Sequence, residues 1–254
     1  MAQDKIAYHK KDHIGEIILN SSDKGNCIDL DMAIEIVETC NLINNDEDIY
    51  VAVLAGSDEI FCSGQEHLLD NEKQYQILLK RNPIEAIASL NCPVIAAING
   101  DAIGEGLELA LACDIRIASD KARFSLPQVS RGMIPVNGGT QRLTRIIGKG
   151  KAMEMILTGD LIESPEALEI GLVAKVVPSN KVLSEVETIA KSLAAKAPFA
   201  LRYCKEAINK GLDLTLEQGL RLEADLYFLL HTTADRTEGI QSFMQKRPPE
   251  FKGR

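Results

Sequence analysis

The segment from residue 92 to residue 113 constrains the fold more than any other part of this chain. An uninterrupted apolar run, Cys92–Ile98, is typical of a buried strand, and Pro93 lies near its start, where a missing N–H is tolerated. A glycine-rich turn over 99–106 follows, and the apolar stretch Leu107–Cys113 then predicts a helix. This order places backbone N–H groups at a helix N-terminus, which favours the binding of negative charge.

The glycine spacing in this turn does not match a nucleotide motif. Gly100, Gly104 and Gly106 do not form the dinucleotide pattern G-x-G-x-x-G, and the Lys-Ser/Thr pair of a P-loop does not follow them. A tight strand-to-helix connection is therefore the alternative interpretation. Glu108 favours a site, because a carboxylate in an otherwise apolar helix is costly to bury. It is either a structural carboxylate with a partner or a general acid/base.

Strand-like and helix-like segments alternate along the 254 residues, which predicts an α/β class with one large core. The predicted strands are Lys5–Lys10, Gly15–Leu19, Tyr50–Leu54, Cys92–Ile98, Ile115–Ala118 and Leu172–Val177. The predicted helices are one capped by Asp29 and ending near Asn44, then Glu72–Leu90 with a break or restart at Pro83, Leu107–Cys113, Thr140–Ile147, Gly150–Thr158, Pro165–Ile170, Val182–Lys196, Pro198–Lys210 and Thr215–His231. The stretch Glu59–Asp70 shows no regular period.

Composition and charge exclude several classes. A net charge of −9 argues against nucleic-acid binding. The four histidines show no metal-ligand spacing, and the six cysteines form no C-x-x-C pair, so we expect buried free thiols and no metal. Neither a membrane-length apolar run nor a signal-peptide pattern is present. We expect a soluble, cytoplasmic protein with no membrane partner.

Several motifs in order along the chain carry a family resemblance. They are Phe61-Cys62-Ser63-Gly64, Cys92-Pro93-Val94-Ile95-Ala96-Ala97-Ile98-Asn99-Gly100, Gly104-x-Gly106-x-Glu108-Leu109-Ala110, Phe124-Ser125-Leu126-Pro127, Gly132-x-Ile134-Pro135, Gly138-Gly139-Thr140-Gln141-Arg142-Leu143, Met153-Glu154-Met155-Ile156-Leu157-Thr158-Gly159 and Lys246-Arg247-Pro248. Together they resemble the crotonase (enoyl-CoA hydratase/isomerase) family over nearly the whole chain.

The resemblance implies a spiral of ββα units and a homotrimer, or a homohexamer of two trimers. It implies that residues 1–196 form the spiral core with an acyl-CoA site, and that the helical region 197–254 serves assembly and closes the CoA site. The coenzyme A thioester is the substrate, and no cofactor is expected. Two backbone N–H groups, those of Gln65 and Glu105, would form an oxyanion hole for the thioester carbonyl.

The resemblance also implies the catalytic residues, with two departures. Typical hydratases of the family carry two glutamates; the first corresponds to Glu108, but the second is replaced by Gln128. A glutamine can hold a water but cannot exchange a proton at neutral pH. The second departure is Glu105, where the family usually has glycine. Glu105 is either a solvated first-turn residue or, three residues from Glu108 on one helical face, a second carboxylate of the site.

Further residues are expected to contact CoA or the acyl chain. The CoA-binding residues implied by the resemblance are Cys62, Ser63, Gly64, Glu66, His67, Tyr227 and Lys246. For Tyr227, plain helix packing is the alternative. His67 and Asp70 would lie near the adenine end, with His67 as a surface residue rather than a catalytic one. The walls of the acyl pocket would come from Asn71–Arg81 and Arg131–Asn137.

We therefore predict a lyase that adds water to, or removes it from, an α,β-unsaturated acyl-CoA, including dienoyl or cyclic ones. Isomerisation, decarboxylation and thioester hydrolysis are alternatives within the family. A non-catalytic binding relative is the alternative from another class, and the presence of Glu108 argues against it.

Overall fold

Two sheets organise the chain, of which the computed structural model describes residues 4–64 and 82–254. The strands are β1 (Ile6–Lys11), β2 (Ile14–Leu19), β3 (Val51–Gly56), β4 (Ile60–Cys62), β5 (Val94–Ile98), β6 (Asp101–Ile103), β7 (Ile115–Ser119), β8 (Arg123–Ser125), β9 (Ile162–Glu163) and β10 (Lys175–Val177). The helices are α1 (Leu30–Asn44), α2 (Pro83–Ala88), α3 (Glu105–Leu111), α4 (Gly139–Ile147), α5 (Lys149–Thr158), α6 (Ser164–Glu169), α7 (Val182–Ala194), α8 (Pro198–Gly211), α9 (Leu216–Leu230) and α10 (Ala234–Gln245).

The chain passes repeatedly from the larger sheet to the smaller one. The larger sheet has the order β1-β2-β3-β5-β7-β10, and all its pairings except β1 with β2 are parallel. The smaller sheet has the order β4-β6-β8-β9. Thus β3, β5 and β7 are each followed within a few residues by a short strand of the smaller sheet. This repetition is the expected spiral of ββα units.

Glycines allow the close contacts where the chain changes sheets. A Cβ on Gly100, between β5 and β6, would lie 1.8 Å from the carbonyl oxygen of Glu59. A Cβ on Gly106, in α3, would lie 2.1 Å from the carbonyl oxygen of Cys62. Both distances are far below van der Waals contact, so only glycine fits at these two positions, and Gly106 lets α3 pack against β4.

The central strands β3 and β5 of the larger sheet are buried on both faces, which explains their continuous apolar runs. Along β3, Ala52 and Leu54 belong to the main core with α1 and α3, whereas Val51, Val53 and Ala55 belong to a second core with α7. This alternation has the two-residue period of a strand.

The C-terminal region is helical and leaves many large apolar side chains exposed. Helices α8 and α9 pack on each other. The exposed apolar side chains of α8 to α10 and the α8–α9 turn include Ile208, Leu212, Leu216, Leu220, Tyr227, Phe228, Phe243 and Met244. No helix within residues 4–64 and 82–254 is long and apolar enough to cross a membrane.

The differences from the sequence predictions concern several short elements and helix α10, which was expected only as part of the helical region 197–254. Strands β4, β6, β8 and β9 were not predicted, because two or three residues carry no measurable period. The predicted strand Leu172–Val177 is wrong at its start, since β10 spans only its last three residues. Of the predicted helix Glu72–Leu90, the part before residue 82 lies outside the described residues; the described part begins at Pro83, the predicted restart.

The cysteine prediction holds only in part. All six are free thiols, and Cys40, Cys62, Cys92 and Cys113 are buried. Cys204 is exposed and Cys27 half-buried, so the expectation of burial was wrong for Cys204. Burial raises the pKa of Cys62 and of Cys113 to about 12, which keeps these two thiols protonated and unreactive.

Candidate active site

Glu108 lies at the centre of the candidate site, on the first turn of α3. The short strand β6 ends at Ile103, and Gly104, with φ +57°, turns the chain into the helix. The side chain of Glu108 is completely buried among apolar neighbours of the main core. A buried carboxylate requires hydrogen-bond partners, and these decide what it can do.

The two oxygens of the Glu108 carboxylate have different environments. Oε1 accepts hydrogen bonds from the backbone N–H groups of Asn137 and Gly139, each at 2.7 Å. Oε2 is also buried but has no hydrogen-bond partner among the described residues. One oxygen is therefore fixed by the backbone, while the other can exchange a proton with a bound molecule.

Burial raises the pKa of Glu108 from its ordinary 4.5 to about 7. The hydrogen bonds from Gly139 and Asn137 oppose this rise, because they stabilise the charged form. The negative charge of Glu105 raises the pKa further, and the Arg142 guanidinium lowers it. The outcome is a carboxyl group that is present in both protonation states near neutral pH, as a residue that both takes and gives a proton requires.

Gln128 is the second buried polar side chain of the site. It lies in the 3₁₀ turn Pro127–Arg131 after β8 and is only 4% exposed. Neither its Oε1 nor its Nε2 has a hydrogen-bond partner among the described residues. The amide faces the start of α3, since a Cβ on Gly104 would lie 3.7 Å from Nε2. Its carbonyl oxygen can accept, and its NH₂ group can donate, hydrogen bonds to a small polar group.

The start of α3 also meets the end of the upstream loop. Glu105 is the first residue of α3, where helical geometry directs backbone N–H groups out of the N-terminus. Gly64 has φ +109°, and a Cβ there would lie 3.7 Å from the Glu105 nitrogen. The chain thus approaches the Glu105 N–H immediately before Gln65, which itself lies outside the described residues.

The Glu105 side chain is half-buried and turns toward this loop. Its Oε2 would lie 3.1 Å from a Cβ on Gly64, and its charge raises the pKa values of both Glu108 and Cys62. The Glu105 carboxylate is therefore close enough to Glu108 to affect its protonation.

Comparison with known proteins shows the family to which the chain belongs. A family model described as enoyl-CoA hydratase/isomerase matches residues 9–254. The chain belongs to the enoyl-CoA hydratase/isomerase family.

Relatives of known name and structure match over nearly the whole length. The chain is 35% identical to a crotonyl-CoA hydratase of Syntrophomonas wolfei, with 99% of each chain covered. It is 38% identical to a 2,3-dehydroadipyl-CoA hydratase of Escherichia coli, with 94% of each covered. The crystal structure of an enoyl-CoA hydratase from Bacillus anthracis matches with a TM-score of 0.94 and 39% identity, covering 98% of this chain and 100% of that one. These matches confirm the predicted family and fold.

The residues expected to bind CoA differ in their exposure and in their contacts. Ser63 is exposed, and Gly64 is beside α3. The Cys62 thiol is buried and donates to the Gly64 carbonyl oxygen at 3.7 Å, so it faces the interior of the protein. The predictions for Glu66 and His67 lie outside the described residues, as do those for Asp70 and Asn71–Arg81.

Two further expected CoA contacts are in the C-terminal region. Tyr227, on α9, is 58% exposed, and its ring contacts the rings of the adjacent Phe228 and of His231, one turn further along. Lys246 is exposed and ends α10 with φ +53°. The contacts seen for both residues are with their own helices, so the described chain does not join them to Glu108.

Sequence reasoning missed the residues that hold Glu108. The turn Asn137–Gly139 was expected only as a family motif and, in part, as a pocket wall, yet its two N–H groups fix the carboxylate. Asn82 and Arg142, which contact this turn, were not assigned a role. The available signal was the Gly138-Gly139 pair before a helix, since such turns present converging N–H groups to an anion.

Proposed function

We propose that this protein adds water to, or removes it from, the double bond of an α,β-unsaturated acyl-CoA through an enolate. The observation that carries the proposal is the Glu108 carboxylate, with one oxygen fixed by the backbone and the other buried and facing no protein partner among the described residues. Its pKa of about 7 supports the use of one residue as both base and acid.

In the proposed reaction, the thioester carbonyl oxygen accepts hydrogen bonds from the backbone N–H groups of Gln65 and Glu105. Glu108 takes a proton from water while the water oxygen bonds to Cβ of the acyl chain. The double-bond electrons then move onto the thioester as an enolate. The protonated Glu108 then returns the proton to Cα, giving the 3-hydroxyacyl-CoA. Loss of one oxyanion-hole donor typically costs about 10²–10³ in rate.

Gln128 has a positioning role in this scheme. Its buried amide can accept a hydrogen bond from the attacking water through Oε1 and donate one through Nε2. Because it cannot exchange protons, Glu108 performs both proton steps.

Double-bond isomerisation is the second candidate, and Gln128 is the observation that favours it. Moving a proton between Cα and Cγ of the acyl chain needs one carboxylate and no water. The fully buried Glu108 carboxylate and the buried Gln128 amide support this candidate. Decarboxylation and thioester hydrolysis have no such support.

A mass-spectrometric screen of acyl-CoAs distinguishes these candidates. It should include crotonyl-CoA, a 3-enoyl-CoA, and dienoyl and cyclic enoyl-CoAs, each incubated in H₂O and in D₂O. Gain or loss of one water supports the hydratase. Isomerisation shows as a change of chromatographic retention with deuterium incorporation and no gain of water. No conversion of any of these thioesters would overturn the proposal.

CoA binding and assembly complete the proposed function. The loop Phe61–His67 would hold CoA, and a failure of acetyl-CoA to bind in calorimetry at millimolar concentration would contradict this. Region 197–254 would serve assembly as a trimer or hexamer, which is supported by its exposed apolar side chains. Light scattering should then give a mass of three or six chains; a mass near 27.8 kDa, that of one chain, would contradict it. The expected cytoplasmic location stays a prediction.

A further inference from the structure

Asn137 makes three hydrogen bonds in three directions. Its backbone N–H donates to Glu108 Oε1, and its carbonyl oxygen accepts from Nη1 of Arg142 at 2.9 Å. Its side-chain Oδ1 accepts from Nδ2 of Asn82, also at 2.9 Å. The backbone donor to Glu108 is thus held both by its own carbonyl group and by its own side chain.

The orientation of the Asn82 amide is fixed by a second role. Asn82 is the N-cap of α2, and its Oδ1 accepts from the backbone N–H groups of Ile84 at 2.9 Å and Glu85 at 3.2 Å. With Oδ1 committed to the cap, Nδ2 is the group that faces Asn137. The pair therefore has one donor and one acceptor in a defined order.

An ion pair completes a closed ring of contacts around Asn137. Nη2 of Arg142 lies 3.2 Å from Oε2 of Glu85, the residue that Asn82 caps. Glu85 is 69% exposed, so this ion pair adds little by itself. The contacts of the ring that can hold the turn are the half-buried amide pair of Asn82 and Asn137 and the bond from Arg142 to the Asn137 carbonyl oxygen.

The turn Asn137–Gly139 needs side-chain contacts to fix its position because glycines give its backbone conformational freedom. Gly132 and Gly138 both have positive φ, +71° and +103°, and they flank the segment that carries Asn137. Without its side-chain anchor, this segment keeps only the Arg142 contact to the Asn137 carbonyl oxygen, and its N–H can shift away from Glu108.

We propose that the Asn82–Asn137 amide pair is a positioning device that holds the Asn137 N–H on Glu108 Oε1 and so sets the protonation and orientation of the catalytic carboxyl group. The proposal rests on the proposed function of Glu108 as the proton-transfer residue. Neither asparagine touches the reacting atoms in this scheme; both act through the peptide N–H of residue 137.

The sign of the effect follows from the hydrogen bond. An N–H bond to a carboxylate favours its charged form, so weakening that bond raises the pKa of Glu108 above about 7. The charged groups that act on Glu108 within the described chain are Glu105 on α3 and Arg142 on α4; Asn82, Asn137 and Gln128 are neutral. Removing the amide pair therefore changes no charge.

The test is a double-mutant cycle with neutral replacements. Asn137→Ala removes the side-chain acceptor but keeps the backbone N–H, while Asn82→Ser removes the donor and retains a good helix cap. The third variant combines both changes. Asn44→Ala is the matched control, because it removes a comparable asparagine contact, to the Asn91 N–H at 2.9 Å, that is not part of this ring.

The readout is the pH dependence of kcat/KM, with KM measured in parallel. Each single variant should move the acid limb of the kcat/KM profile to higher pH by about half to one unit. As a result, kcat/KM should fall about three- to tenfold near pH 6 and change little near pH 9. KM near pH 9 should change less than twofold, and the double variant should match the single ones. The proposal is overturned if the acid limb of the kcat/KM profile stays at the same pH in Asn82→Ser, or if the shifts of the two single variants add in the double variant. An acid-limb shift of the same size in Asn44→Ala would also overturn it.

A second measurement separates this proposal from the proposed reaction. The ¹³C resonance of the Glu108 carboxyl carbon, assigned with Glu108→Gln, reports its pKa without any substrate. If the variants raise this pKa but the natural protein converts no acyl-CoA, the positioning stands and the proposed function fails. If the natural protein is active and the pKa is the same in all variants, the proposed function stands and the positioning fails.

Discussion

Oε1 of Glu108 lies 2.7 Å from the backbone nitrogen of Gly139, the first residue of α4. The carboxylate of one helix is thus held at the N-terminus of the next, where helical geometry favours negative charge. Burial instead favours the neutral acid, and it is the larger effect, since the pKa of Glu108 rises to about 7.

Glu108→Gln should abolish turnover and leave acyl-CoA binding nearly intact. The amide retains an oxygen that can accept from Asn137 and Gly139, but it cannot exchange a proton. Loss of one general acid/base typically costs about 10²–10⁴ in rate. Steady-state kinetics together with calorimetry on one substrate measure both effects. Full activity in this variant would show that another residue carries the proton.

Glu108 should also make the stability of the protein depend on pH. Its pKa is about 7 in the folded protein and near 4.5 in the unfolded chain, so the unfolded state releases its proton first as the pH rises. The stability that Glu108 contributes is then present at low pH and lost as the pH rises through the folded pKa, and this loss amounts to about 3–4 kcal/mol at most. Urea unfolding should show the natural protein losing stability relative to Glu108→Gln between pH 4.5 and about 7. Parallel stability curves for the two proteins would contradict this.

A methyl group at position 139 should disturb the carboxylate directly. A Cβ on Gly139 would lie 3.0 Å from Glu108 Oε1, 2.7 Å from the Cβ of Pro135 and 3.1 Å from Leu126 Cδ1. Overpacking of this kind costs about 1–3 kcal/mol, and we expect Gly139→Ala to lose most activity as well.

Gly150→Ala is the matched control for that variant. Gly150 lies at the start of α5, as Gly139 does at the start of α4, and a Cβ there meets no atom within 4 Å. Because alanine favours helix, the control should be neutral or slightly stabilising. Unfolding curves and activity of both variants provide the comparison, and equal behaviour would contradict the steric argument.

The sequence predicted the large sheet and the central carboxylate because both have strong local signals. Val51–Gly56 and Val94–Ile98 are buried on both faces, and this leaves continuous apolar runs. Glu108 was conspicuous as a charge in an apolar helix. By contrast, β6 and β8 are three residues long, and they exist because they pair with each other and with their neighbours in the small sheet. The contact of Asn82 with Asn137 joins residues 55 positions apart, and no local pattern encodes it.

Gln128→Glu should restore a pair of carboxylates and raise the rate of crotonyl-CoA hydration. The new charge would lie in the same buried place beside the start of α3, so it should also raise the pKa of Glu108. Gln128→Ala is the control, since it removes the amide without adding a charge. Kinetics with crotonyl-CoA measure the change. A fall in the hydration rate in both variants would mean that the amide itself is needed.

Glu105→Gln decides whether Glu105 takes part in the chemistry. Its negative charge raises the pKa of Glu108, so the neutral variant should lower that pKa and move the acid limb of kcat/KM to lower pH. The backbone N–H of residue 105 is retained, and the proposed oxyanion hole should therefore be intact. If Glu105 acts only through its charge, the rate at the optimum pH should change less than about tenfold, in keeping with the modest energy of a first-turn carboxylate. If Glu105 is instead the second acid/base of the site, the loss should reach about 10²–10⁴ and approach that of Glu108→Gln. Measuring pH profiles of Glu105→Gln and Glu108→Gln on the same substrate separates the two cases, because only the first predicts a shifted but active enzyme.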